Sequence, residues 1–104
     1  MNMPNSPTLS FTCDFDDRTG AEVELKGYFE HAIACLPDGR KVQLYFWDPV
    51  RLAQDLEIEQ RLGRACIAEP CLVVVPRVTV QYMQAAIEEL YRNGYFDRLL
   101  TVIY

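Results

Sequence analysis

Leu9, Phe11, Cys13 and Phe15 alternate with polar residues, the pattern of a half-buried strand. Asp16-Asp17-Arg18-Thr19-Gly20 then reads as a turn. Alternation resumes through Ala21, Val23, Leu25, Gly27, Phe29, His31, Ile33 and Cys35. A straight strand over residues 21–36 would run about 50 Å, too long for a small domain, so a bend or bulge is expected near Gly27. Asp38-Gly39 signals a two-residue type I′ hairpin, and Lys41 to Trp47 forms the third strand. With that turn at the tip, Cys35 stands opposite Val42, Ile33 opposite Leu44 and His31 opposite Phe46. A turn centred on Arg18 likewise sets Cys13 opposite Val23 and Phe11 opposite Leu25, so both hairpins agree on one core face.

The second half changes period. Asp48-Pro49 opens a helix, with Asp48 as N-cap and Pro49 at the first position, and Gly63 is a plausible stop. Residues 64–70 are ambiguous between a loop and a short strand. Cys71 to Val75 is a continuous apolar run, as expected of a strand buried on both faces, and Pro76 ends it. Thr79 caps a second helix whose Val80, Met83, Ile87 and Leu90 form one stripe, with Gly94 as its left-handed stop. Leu99 to Tyr104 is apolar and rich in β-formers, so a final strand or packed tail is expected. The expected fold is α+β: a mixed sheet in the order β-β-β-α-β-α-β, with an N-terminal antiparallel meander and two packing helices. Residues 1–8 read as a disordered arm and 9–104 as a single domain.

Composition narrows the function classes. The chain has 104 residues, half of them hydrophobic, and a net charge of −5. An acidic domain repels phosphate backbones, which disfavours nucleic acid and anionic membranes as partners. No apolar run approaches the roughly 20 residues that span a bilayer. The first ten residues lack a basic segment and an apolar core, so no export signal is expected. A cytoplasmic setting with four reduced cysteines follows as the expectation.

The candidate chemistries are thin. Asp14 to Gly20 misses the phosphatase and calcium-loop patterns at Arg18, Thr19 and Leu25, and a solvated acidic turn suffices. Cys66 and Cys71 are not spaced as a zinc knuckle, and Cys13 and Cys35 fall on the expected core face. His31 is the sole histidine, and Cys35, four residues along the same strand, is about 13 Å from it. Neither a P-loop nor a GxGxxG occurs. No catalytic residue, cofactor or metal ligand is therefore assigned. Arg77, between strand and helix, could border a site at the sheet edge.

One surface stands out. The second face of the hairpin carries Tyr28, Ala32, Ala34 and Leu36 with Tyr45 and Trp47. Either another element of the chain covers it or it meets a partner. Tyr28, Ala32, Ala34, Tyr45 and Trp47 are the candidate partner-binding residues. The leading expectation is a small acidic, non-enzymatic interaction or regulatory protein that self-associates, with a homodimer or an unidentified protein as partner. The alternatives are a small enzyme or ligand binder with a pocket near Arg77 and His31, and an acidic inhibitor or immunity-type protein that masks a basic partner.

Overall fold

The computed structural model describes residues 6–101. In chain order they form β1 (Thr8–Phe11), α1 (Asp17–Lys26), β2 (Tyr28–Cys35), β3 (Lys41–Trp47), α2 (Pro49–Arg61), β4 (Leu72–Val74), α3 (Val80–Arg92) and α4 (Tyr95–Thr101). The four strands make one mixed sheet in the order β1-β2-β3-β4. β1, β2 and β3 are antiparallel, and β4 joins β3 in parallel after the α2 crossover. The fold is α+β, as the hydrophobic pattern implies. Its element order differs from the expected one at both ends.

The first difference is α1, where a turn and a strand were expected. Asp16 Oδ1 accepts the Thr19 N–H at 2.8 Å and caps the first turn. Gly27 closes the last turn in the left-handed region, φ 78°, donating its N–H to the Val23 carbonyl. These two ends, with Glu22, Glu24 and Lys26 between them, favour a helix over a short alternation. Of Ala21, Val23 and Leu25, only Val23 is buried. The β1–β2 connection, residues 12–27, thus carries a helix in place of a hairpin turn at Arg18. β1 pairs instead with the far half of β2, Phe11 opposite Ala32 and Leu9 opposite Ala34. Cys13 lies outside β1 and is exposed.

The second difference is the register of β2 on β3. Ala34 faces Val42 and Ala32 faces Leu44, one residue from the expected pairing. The cause is the turn. Leu36 N–H donates to the Arg40 carbonyl at 2.8 Å and Gly39 N–H to the Leu36 carbonyl at 3.0 Å. Three residues therefore form the loop, with Gly39 left-handed at φ 96°. That is a type I turn followed by a bulge, not a two-residue tip. A shift of one residue turns every side chain to the other face. A second shift between Phe29 and Ala32 inserts one extra residue in β2, and Phe29 then stands opposite Phe46. Glu30 and His31, in the bulge, are both exposed. The Glu30 carbonyl takes a hydrogen bond from Gln43 Nε2 at 2.8 Å, and that of His31 from Thr12 N–H at 2.9 Å.

The core lies on one face of the sheet. Ala32, Ala34, Leu44 and Phe46 pack there with Met83 and Ile87 of α3, Val78, and Phe96 of α4. α2 and α3 begin as expected, with Asp48 Oδ1 accepting Arg51 N–H at 2.7 Å and Thr79 Oγ accepting Tyr82 N–H at 3.2 Å. β1 is tied to α3 by Gln84, whose amide accepts from Leu9 N–H and donates to the Pro7 carbonyl. Pro7 is buried, so packing begins inside the stretch read as an arm. At the other end, where a final strand or packed tail was expected, α4 runs as far as Thr101 with Leu99 packed against the core, and residues 102–104 lie outside the described residues. Arg40 holds the hairpin to α4 through ion pairs with Asp38 and Asp97.

Candidate functional site

The outer face of the sheet follows from the register. Ile33 and Cys35 of β2 oppose Gln43 and Lys41 of β3, Tyr28 opposes Trp47, and Tyr45 and Trp47 oppose Leu72 and Val74 of β4. These side chains point away from the Ala32–Phe46 core, because successive strand residues alternate between faces. The five candidate partner-binding residues therefore divide. Tyr28, Tyr45 and Trp47 are partly exposed. Ala32 and Ala34 are 0% exposed and belong to the core, as does Leu36, because the one-residue shift reassigned the face.

Among the described residues, no helical layer closes this outer face. The thinnest dimension of the molecule is 21 Å, the depth of a sheet and one layer of helices. α3 supplies that layer on the core side. α2 buries no residue; Val50, Leu56 and Ile58 on it are exposed, as is Leu62 just past its end. The Arg51 guanidinium of α2 lies 4.5 Å from the Tyr28 ring centre, and within α2 it pairs with Asp55 at 3.1 Å. Val74 of β4 is 46% exposed, so the expectation of a strand buried on both sides fails there. Glu30, Tyr45, Trp47 and Glu69 line a cavity of about 250 Å³. Among the described residues, Trp47 Nε1 is the one buried side-chain nitrogen or oxygen without a hydrogen-bond partner.

Charge is unevenly spread. Residues 14–30 hold six carboxylates against Arg18 and Lys26, and so carry four of the five net negative charges. Residues 49–69 are nearly balanced. There Arg51, Arg61 and Arg64 pair with Asp55, Glu57 and Glu59.

The His31 region forms a second feature. A cavity of about 400 Å³ opens between α1 and β2, lined by Cys13, Asp14, Glu22, Lys26, Tyr28 and His31 among others. His31 Nδ1 and Thr12 Oγ share a hydrogen bond at 3.1 Å. The sheet thus brings Cys13 and His31 to one cavity. Arg77 does not line it: its guanidinium stands 4.0 Å from Glu24, beside a groove between α1 and the start of α3. The pair Arg77 and His31 expected to border one pocket is therefore separated. Among the described residues, no three His, Cys, Asp or Glu side chains are grouped to hold a metal ion. All four cysteines are free. Cys71 has a left-handed φ of 65°, and burial pushes its thiol up from the ordinary range. No described helix is long and apolar enough to cross a membrane.

Sequence reasoning missed α1, and set the expected bend or bulge near Gly27, just before the register shift between Phe29 and Ala32. The helix had a signal: an Asp cap, Lys26 in the last turn, and glycine immediately after. The bulge was signalled only by the length of the alternating run, since nothing in Phe29-Glu30-His31-Ala32 itself marks an inserted residue. No family model matches the chain, and no curated protein or solved structure matches it at a significant level.

Proposed function

We propose that this chain is a non-enzymatic protein-interaction module, and that its working surface is the outer sheet face with the adjoining side of α2. The observation that carries this reading is the apolar face left without a helical layer. Tyr45, Trp47, Leu72 and Val74 lie on the side of the sheet opposite α3, and Val50, Leu56 and Ile58 of α2 are exposed. Exposed apolar side chains mark a binding site when they gather into a large patch. Aromatic residues ringed by polar ones are also the usual make-up of a binding patch.

A hydrophobic dye tests it directly. At sub-micromolar protein, anilinonaphthalene sulfonate should brighten on the wild type, and Tyr45→Lys, at a partly exposed position, should reduce the signal several-fold with unchanged circular dichroism. A wild type that binds no dye at that dilution would overturn the reading.

A second reading, a small ligand binder or enzyme at the His31 cavity, draws support from Cys13 and His31 lining one space. It requires the Cys13 thiol to sense the imidazole. Thiol reactivity with a disulfide reagent, followed against pH in wild type and His31→Gln, decides it. Superimposable profiles would remove it.

A further inference from the structure

We propose that the outer-face cavity between Glu30, Tyr45, Trp47 and Glu69 takes the guanidinium of an arginine presented by a basic protein partner; this rests on the interaction reading above. The cavity holds about 250 Å³ and is lined by two aromatic rings and two carboxylate side chains. Tyr45 and Trp47 are alternate residues of β3 and so stand on one face. Glu30 comes from the β2 bulge, where its carbonyl accepts Gln43 Nε2 at 2.8 Å. Glu69 comes from the loop before β4, where its carbonyl accepts Leu72 N–H at 3.3 Å. Hydrogen bonds to the two backbones thus fix the points from which both side chains start. Among the described residues, neither carboxylate has an ion pair or a hydrogen bond of its own.

The same face already displays this chemistry once. Tyr28 stands opposite Trp47 in the β2–β3 ladder. The Arg51 guanidinium lies 4.5 Å from the Tyr28 ring centre and donates to Asp55 at 3.1 Å, so one arginine uses a ring and a carboxylate together. The cavity at Trp47 offers rings and carboxylates of the same kind, while Arg51, Arg61 and Arg64 are engaged with Asp55, Glu57 and Glu59. A guanidinium suits this lining better than an ammonium. It is planar and weakly hydrated, so it stacks on a ring, and its several N–H donors serve a site with more than one carboxylate. Charge complementarity agrees. Glu30 also lines the His31 cavity with Asp14 and Glu22, so the acidic segment 14–30 extends to this lining and steers a basic partner towards it.

Trp47 is the only tryptophan of the chain, so its fluorescence reports on this cavity. The full chain is titrated with a short peptide of alternating glycine and arginine, up to about 10 mM, because a single stacked and paired guanidinium binds weakly. Trp47 emission should change and saturate. The matching citrulline peptide, an uncharged isostere, should leave it unchanged, and the matching lysine peptide should bind about tenfold more weakly. Glu30→Gln and Glu69→Gln, both at exposed positions, should each weaken arginine binding about tenfold with unchanged circular dichroism. Glu89→Gln removes the same charge from an exposed position of α3 and should bind as wild type does. Citrulline or lysine peptide that binds as tightly as the arginine peptide overturns the proposal. So does arginine binding that both cavity variants leave unchanged, or that Glu89→Gln weakens equally. If Trp47 emission ignores the arginine peptide the proposal also falls, and the dye then separates the two readings. A protein that still brightens the dye keeps the interaction surface and loses only the cation, whereas one that does not loses both.

Discussion

Gly27 and Asp48 meet where α1, β2 and α2 converge. The Gly27 carbonyl accepts Asp48 N–H at 2.8 Å, and a Cβ on Gly27 would stand 2.6 Å from Asp48 Oδ2. The same carboxylate caps α2 through Arg51 N–H. Gly27 thus ends one helix, with a left-handed φ of 78°, and leaves room for the cap that starts another. Gly27→Ala is expected to lower stability by about 2 kcal/mol or more, from the strained backbone and the displaced cap together. Asp48→Ala should lose about 1 kcal/mol, and the double variant less than the sum. Urea unfolding of the four proteins measures all three quantities.

Neighbouring residues of β2 should respond oppositely to charge. Ala34 is fully buried opposite Val42, so Ala34→Glu would place an unpaired carboxylate in the core and should unfold the domain. Ile33 lies on the outer face opposite Gln43, and Ile33→Glu should remain folded. Circular dichroism distinguishes them. Unfolding by Ile33→Glu and tolerance of Ala34→Glu would restore the register with a two-residue turn.

Acid should weaken the cap of α1. The backbone hydrogen bond from Thr19 holds the Asp16 carboxyl below its ordinary value of 3.8. A lowered carboxylate stabilises the fold above its unfolded value, and that contribution disappears as pH falls through the folded one. The difference in denaturation midpoint between wild type and Asp16→Ala should therefore be constant above about pH 5 and shrink below it. A difference that grows on acidification would contradict the cap.

The four thiols should alkylate in order of access. Cys13 and Cys66 are exposed. Cys71 is partly buried, and the same burial that shields it raises its thiol, so less thiolate is present at a given pH. Iodoacetamide at pH 8, followed by peptide mapping, should label Cys13 and Cys66 before Cys71. In unfolding concentrations of urea the lag of Cys71 should vanish.

Much of the second half was legible in the sequence because its signals are local. Asp48-Pro49 and Thr79 name their own helix starts, and both act as caps. Val-Val-Val after Cys71 marks a strand in any context, although the ladder extends only over Leu72–Val74. The first half failed where two local readings competed. Six alternating residues from Ala21 to Lys26 fit a strand, and the capped ends that make them a helix lie outside that window. Asp38-Gly39 correctly marked a hairpin, but loop length could not be read from the dipeptide, and one residue of loop length decided which face is core. The candidate site inherited that slip. Tyr28, Tyr45 and Trp47 do lie on the outer face, whereas Ala32 and Ala34 were assigned to it and belong to the core. Leu56 and Ile58 are exposed on α2 although the helix starts where its cap implies, because a cap fixes where a helix begins and not which face it buries.

The order of strands in the sheet is the order of strands in the chain. A ribosome releasing this protein from its N-terminus would never have to thread a late strand between two early ones. Each strand, once made, finds its neighbour already present at an open edge. β1, α1 and β2 can pair within the first 35 residues, and β3 follows through a three-residue loop. Loop-closure entropy is therefore met in small instalments, with the α2 crossover to β4 the one long wait. Helix α3 supplies much of the core and arrives last but one, so the growing sheet stays bare on its core face until residue 92 has been added. A chain halted before α3 would expose Ala32, Leu44 and Phe46 together, and truncations ending near Val78 should aggregate where the full chain does not.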